Sequence, residues 1–141
     1  MNSSRINIVI LLLPIILWLM VSMTRFNLVA AGLGNHGHKN ITITNALGEG
    51  KFLTLDCKSK QFDIGVSRIN PNGVYKFQIK PNFLGTTLFF CKAQWDNLTY
   101  WFDVYKYNRD KNDGPDYSWT VDMSGACLHK KDNTTDCQWF V

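Results

Sequence analysis

The stretch Val74-Tyr75-Lys76-Phe77-Gln78-Ile79-Lys80 decides the fold class. In an extended chain Tyr75, Phe77 and Ile79 fall on one side and Lys76, Gln78 and Lys80 on the other, the period-two alternation of a half-buried strand. A helix would scatter these apolar residues around its circumference. The same rule, applied upstream to residues 52–58, turns Leu53, Leu55 and Cys57 inward and Thr54, Asp56 and Lys58 outward. Downstream, Thr87, Phe89, Cys91, Ala93 and Trp95 share one face. Cys57 and Cys91 therefore both point at a core.

Residues 41–44, 99–107, 118–123, 126–129 and 137–141 are further strand candidates, rich in β-branched and aromatic side chains. Gly48-Glu49-Gly50, Asn70-Pro71-Asn72-Gly73, Asp113-Gly114-Pro115-Asp116 and Ser124-Gly125 supply the residues that chain reversals need. Helical periodicity is nearly absent. Short strands at this spacing predict an all-β fold: a small antiparallel β-sandwich of about eight strands in two sheets.

The N-terminus has a different character. A short positive segment, Met1 to Arg5, precedes an apolar run over residues 8–21, and Val29-Ala30-Ala31-Gly32 then offers the small side chains that a signal peptidase accepts. These features predict a signal peptide over residues 1–31, cut after Ala30 or Ala31, and one mature domain over residues 32–141. An uncleaved anchor is the rival reading, since 19 residues separate Arg5 from Arg25. Pro14 within the run and the small-residue site after it favour the signal.

Export makes the four cysteines interpretable. Cys57, Cys91, Cys127 and Cys137 all follow the cleavage site and would meet an oxidising lumen, so two disulfides are expected. Zinc ligands come as close pairs, whereas nine residues separate Cys127 from Cys137. The sequons at Asn40, Asn97 and Asn133 also suit a secreted chain, and two of the three are expected to carry glycans.

Charge points away from nucleic acid. The full chain carries a formal +4, but loss of Arg5 and Arg25 with the signal leaves 13 basic and 11 acidic residues, interspersed along the sequence. Catalysis finds little support either. The only histidines are His36, His38 and His129, and the sequence has no nucleophile elbow, zinc-protease motif or phosphate-binding glycine loop. His36-Gly37-His38 could converge on a metal in an extended segment, but it lies in a glycine-rich leader. No enzyme activity, catalytic residue, metal or cofactor is expected, nor any small-molecule substrate.

Two segments remain as recognition candidates. The polar run Asn108-Arg109-Asp110-Lys111-Asn112-Asp113, continuing to Asp116, predicts a solvent-facing loop between strands, where binding specificity in a sandwich commonly resides. Residues 58–70 form the second expected loop. Among the aromatics, Trp101, Tyr105 and Tyr107 alternate with Tyr100 and Phe102, so one set fills the core and the other alone can be exposed.

Strung together, these local features resemble the plant self-incompatibility S-protein family. The resemblance rests on Leu55-Asp56-Cys57-Lys58-Ser59-Lys60, Asp63-Ile64-Gly65, Tyr75-Lys76-Phe77, Gly85-Thr86-Thr87-Leu88-Phe89-Phe90-Cys91 and Trp95, with Phe102-Asp103-Val104-Tyr105 and Trp119-Thr120-Val121 further on. Two departures stand out. Phe62 occupies a position where members often carry an aspartate, and Tyr117-Ser118 precedes Trp119 where many have a cysteine. The family implies a secreted two-sheet sandwich with two disulfides and no catalysis. Its founding members are stigma-secreted ligands in pollen rejection, read by a pollen membrane receptor.

The expected function is thus a monomeric signalling ligand for a plasma-membrane receptor ectodomain, with a sugar-binding or antimicrobial defence protein as the alternative. Of the three connectivities that four cysteines allow, the nested one is expected, Cys57 with Cys137 and Cys91 with Cys127, because it lets the terminal strand close beside an early one.

Overall fold

The structure is a computed structural model that describes residues 8, 10–21 and 37–140. The chain divides into two units, residues 1–35 and 36–141. In the first, residues 10–21 are helical and exposed. Among the described residues, no helix is long and apolar enough to cross a membrane. The expected cleavage point after Ala30 or Ala31 lies outside the described residues, as does His36, while His38 is exposed.

The described residues of the second unit form nine strands: β1 (Lys39–Asn45), β2 (Leu53–Lys58), β3 (Asp63–Ile69), β4 (Val74–Ile79), β5 (Leu88–Trp95), β6 (Leu98–Lys106), β7 (Asp116–Val121), β8 (Gly125–His129) and β9 (Thr135–Trp139). They form a five-stranded sheet ordered β4-β1-β7-β8-β9 and a four-stranded sheet ordered β3-β2-β5-β6. All pairings are antiparallel except that of β1 with β7, which run side by side in the same direction.

Alternation along each strand delivers one face to the common core. Ile41, Ile43, Tyr117, Trp119, Val121 and Leu128 come from the larger sheet, and Leu53, Leu55, Phe89, Ala93, Phe102 and Val104 from the smaller. Each large side chain buried this way contributes about 1.5–3 kcal/mol relative to exposure. Trp119 is the central piece: its ring lies 5.4 Å from that of Phe102, and its Nε1–H donates across the sandwich to the Val104 carbonyl at 3.1 Å. That bond satisfies the one polar atom of a fully buried indole.

The disulfides differ from the nested expectation. Cys57 bonds Cys91, and Cys127 bonds Cys137. The reason is register. Cys57 and Cys91 are direct cross-strand partners in β2 and β5, and Cys127 and Cys137 are direct partners in β8 and β9. The first pair faces the core, whereas Cys127 lies between the buried Ala126 and Leu128 and so points to the outer face of the other sheet. The nested pairing would join different sheets about 10 Å apart, with one partner facing outward, beyond the reach of a disulfide.

Two strand assignments also change. Residues 58–70, expected as a loop, contain β3, an edge strand antiparallel to β2 with a register shift at Cys57/Lys58. As an edge strand that leaves Val66 exposed, it shows no clean apolar face for periodicity to detect. In β6 the alternation changes phase. Phe89 pairs with Tyr105 but Phe90 pairs with Asp103, so Val104 is the extra residue of a bulge. Tyr105 is consequently buried beside Val104, while Trp101 stays exposed as its phase requires.

Register places the connections at the two ends of the sandwich. Lys58 pairs with Phe90 near the start of β5, Leu88 with Lys106, Lys39 with Ile79, Asn40 with Asp116, and Ser118 with His129. Connections 59–62, 80–87, 107–115 and 130–134 therefore gather at one end. Eight of the domain's lysines, at positions 39, 58, 60, 80, 106, 111, 130 and 131, also lie there.

Candidate recognition site

The connection from β6 to β7 crosses between the two sheets at that lysine-rich end, and half of it is structural. Residues Tyr107–Asp110 form a single helical turn. Asp110 is fully buried: its Oδ2 accepts from Lys106 N at 2.7 Å, and Arg109 grips both carboxylate oxygens through Nε and Nη2 at 2.6 and 2.7 Å. Arg109 Nη2 also donates to the Asp103 carbonyl at 3.0 Å, and its guanidinium lies 5.5 Å from the Trp119 ring. The Tyr117 hydroxyl donates to the carbonyls of Asp110 and Gly114 at 2.6 and 3.1 Å. Of the expected recognition residues, Arg109 and Asp110 thus form a fastener. Asn108, Lys111 and Asn112 are exposed, and Asp113 is half-buried.

Electrostatics agree with that division. Burial alone would lower the Arg109 guanidinium, but its hydrogen bonds with Asp110 outweigh this and hold it above its ordinary range. Burial, reinforced by the Asp110 charge, pushes the Tyr105 hydroxyl up to about 12. Tyr117 is raised further, by burial first and then by Tyr105 and Asp110.

Beyond the fastener the chain opens into a cleft of about 340 Å³. One wall is residues 112–117 and the other is residues 128–132 of the β8–β9 hairpin. Gly114 lines it with φ 87°, so a side chain there would be strained, and its Cβ would displace the flexible tip of Lys131, 2.9 Å away. Lys39 donates to the Gly114 carbonyl at 2.6 Å and fixes the loop to β1. The Thr134 hydroxyl and amide both donate to Asp132 Oδ1, which holds that carboxyl below its ordinary range and rigidifies the opposite wall. Asp113 Oδ2 is buried without a hydrogen-bond partner. A polar oxygen withdrawn from water in this way is costly unless a donor reaches it.

The sequons divide by position. Asn97 and Asn133 are exposed at the β5–β6 and β8–β9 turns. Asn40 lies within β1, half-buried, donating from Nδ2 to Asp116 at 2.7 Å and accepting from Gln78 at 2.8 Å. His129 meets the Thr120 hydroxyl at 2.7 Å on the exposed face, and among the described residues no carboxylate orients its other ring nitrogen. Nor do the described residues gather three or more metal-ligating side chains.

Two structural residues escaped the sequence reading. Asn45 is fully buried, its Nδ2 within reach of the Lys51, Ile69 and Asn70 carbonyls and its Oδ1 accepting from Leu47 N. Its place in the inward phase after Ile41 and Ile43 was the available signal. Gln138 joins the edges of the two sheets through the backbone of Asp103, and no sequence pattern announces it.

Comparison with known proteins places this architecture. The family described as plant self-incompatibility protein S1 matches residues 40–139. S-protein homolog 29 of Arabidopsis thaliana is 31% identical over 127 residues, covering 90% of this chain and 87% of that protein. S-protein homolog 5 of the same plant is 41% identical over 92 residues, 64% of this chain and 71% of its own length. A solved self-incompatibility protein homologue, from a family described as widespread, small, highly stable, secreted plant proteins, superposes with a TM-score of 0.58. It has 17% identity and covers 74% of this chain and 96% of that one, so the likeness speaks to the fold. With its two-sheet sandwich, two disulfides and a family match spanning the domain, the chain belongs to the plant self-incompatibility protein S1 family.

Proposed function

We propose that the protein is a secreted, non-catalytic ligand, exported on residues 1–31 and read by the ectodomain of a plant plasma-membrane receptor. The observation that carries this reading is the cleft beside Asp113. It sits at the lysine-rich end, its walls are tied by hydrogen bonds, and it is lined by Asp113, whose buried Oδ2 lacks a donor. An arginine or lysine of the receptor entering the cleft would supply that donor once the Asp113 side chain turns outward, and Lys130 and Lys131 on the rim would meet acidic receptor residues. Asn108, Lys111 and Asn112 extend the contact surface.

The test is binding of labelled protein, collected from a secreting host, to intact plant protoplasts. The reading expects a saturable component of binding that protease treatment of the cells abolishes and that Asp113→Asn weakens about tenfold or more. The lack of any protease-sensitive component, or a protease-sensitive component that Asp113→Asn leaves unchanged, would count against it.

A defence role is the second reading, favoured by the exposed Trp101, which lies 5.8 Å from the Phe90 ring on the outer face of the four-stranded sheet. Aromatic platforms of this kind stack on sugar rings. Saturable binding on a glycan array, removed by Trp101→Ala, would favour it over the receptor.

A further inference from the structure

The lysine-rich end has a second half, away from the cleft, where the four-stranded sheet terminates. Two turns project there. Residues 59–62 close through Ser59 N to the Phe62 carbonyl at 2.7 Å and Phe62 N to Ser59 Oγ at 3.0 Å, with the Phe62 side chain 60% exposed. Residues 82–87 carry Phe83 and Leu84 at their tip, 75% and 68% exposed. Both turns leave from neighbouring strands, since Lys58 at the end of β2 pairs with Phe90 in β5.

The second turn is fastened from below. Asn82 N donates to Thr87 Oγ1 at 2.7 Å, and Thr86 N donates to Asn82 Oδ1 at 3.1 Å. Gly85, at φ 70°, lies so close under the Tyr107 ring that a Cβ would stand 2.7 Å from it. The chain therefore holds Phe83 and Leu84 outward on a rigid base. Turn tips in soluble domains are ordinarily polar, so apolar residues at two adjacent tips call for a partner.

The charges around these tips identify its chemistry. Lys60, Lys80 and Lys106 are all exposed around them. Of the acids of this half, Asp110 is buried under Arg109, while Asp63, beside Phe62, is exposed and accepts at Oδ1 from Gly65 N. Apolar tips flanked by three exposed lysines against the single exposed carboxylate of Asp63 match an interface that is apolar inside and anionic at its surface.

We propose that this half of the end docks on an anionic lipid bilayer, with Phe62, Phe83 and Leu84 entering the headgroup region and Lys60, Lys80 and Lys106 contacting lipid phosphates. The inference stands apart from the receptor reading, because it uses different residues and needs no protein partner.

The test is co-sedimentation of the secreted protein with phosphatidylcholine vesicles, with and without about 30% phosphatidylserine. The protein is expected to sediment with the anionic vesicles only, and to be released by salt. Phe83→Ser combined with Leu84→Ser should weaken binding about tenfold or more, and so, independently, should Lys60→Glu combined with Lys80→Glu. Near-UV circular dichroism checks that each variant keeps its packing, and because the two pairs lie on exposed side chains, either suffices if the other misfolds. Failure to sediment at low salt, equal binding to neutral vesicles, or indifference to the folded variants would overturn the proposal. Vesicle binding that fails while protease-sensitive protoplast binding persists would remove this inference and leave the receptor reading intact.

Discussion

The side-chain amide of Gln138 in β9 binds the backbone of Asp103 in β6 as a neighbouring strand would. Asp103 N–H donates to Gln138 Oε1 at 2.8 Å, and Gln138 Nε2 donates to the Asp103 carbonyl at 3.0 Å. β9 is an edge of one sheet and β6 an edge of the other, so this amide closes one side of the sandwich. At roughly 0.5–1.5 kcal/mol per hydrogen bond, Gln138→Ala should lower unfolding free energy by about 1–3 kcal/mol. Urea denaturation measures it, and an unchanged midpoint would mean the contact contributes nothing.

Removal of the buried fastener should cost more. Asp110→Ala strands the Arg109 guanidinium and leaves Lys106 N–H without its acceptor. Since Arg109 retains some solvent access, we expect a loss of about 2–4 kcal/mol, near the lower end for broken buried pairs. Lys111→Ala and Asn112→Ala, on exposed side chains of the same connection, should stay within about 0.5 kcal/mol of wild type. The contrast between these sets is readable in thermal or urea melts.

Neither of these two contacts was legible in the sequence, although much of the frame that holds them was. Alternation in residues 74–80 and around Cys57 and Cys91 exposed the sandwich and turned both cysteines inward, because those strands bury one face only. It failed where a strand lies at an edge, as with Val66 in β3, or where a bulge resets the phase, as between Asp103 and Tyr105. The recognition loop was half legible. Polarity located the connection, but an Arg-Asp pair reads the same whether it faces solvent or, as Arg109 and Asp110 do, fastens the loop from within. The cleft needed residues 128–132, far away in sequence, and only the register of β7 with β8 brings them opposite Asp113.

The two disulfides should contribute unequally. Loop-closure entropy for separations of 34 and 10 residues predicts about 4 kcal/mol for Cys57–Cys91 and about 3 kcal/mol for Cys127–Cys137. Replacing the first pair by alanines also opens space in the core, widening the gap. Non-reducing peptide mapping should recover these two links, and a Cys57–Cys137 peptide would refute the register.

Alkaline stability follows from Tyr105. Its folded pKa of about 12 exceeds the ordinary 10.0, so the folded state prefers the neutral phenol. The contribution is fully present below pH 10 and is lost as pH rises from there through about 12. Tyr105→Phe should flatten the fall in unfolding free energy over that window, measured by short urea titrations at each pH. An equally steep fall in the variant would assign it elsewhere.

Glycans should sit on Asn97 and Asn133 and spare Asn40, whose side chain is held within a central strand. Intact mass before and after N-glycosidase, with Asn97→Gln and Asn133→Gln, tests the assignment. A glycan surviving both substitutions would place one on Asn40.

Competition on protoplasts tests the central claim, that a receptor reads the Asp113 cleft. Labelled secreted protein is displaced by unlabelled wild type, by Asp113→Asn, or by Lys51→Glu, which alters the opposite end of the sandwich. The account predicts that wild type and Lys51→Glu displace equally, while Asp113→Asn requires about tenfold more protein or greater. Equal displacement by all three, or stronger impairment by Lys51→Glu than by Asp113→Asn, would contradict it.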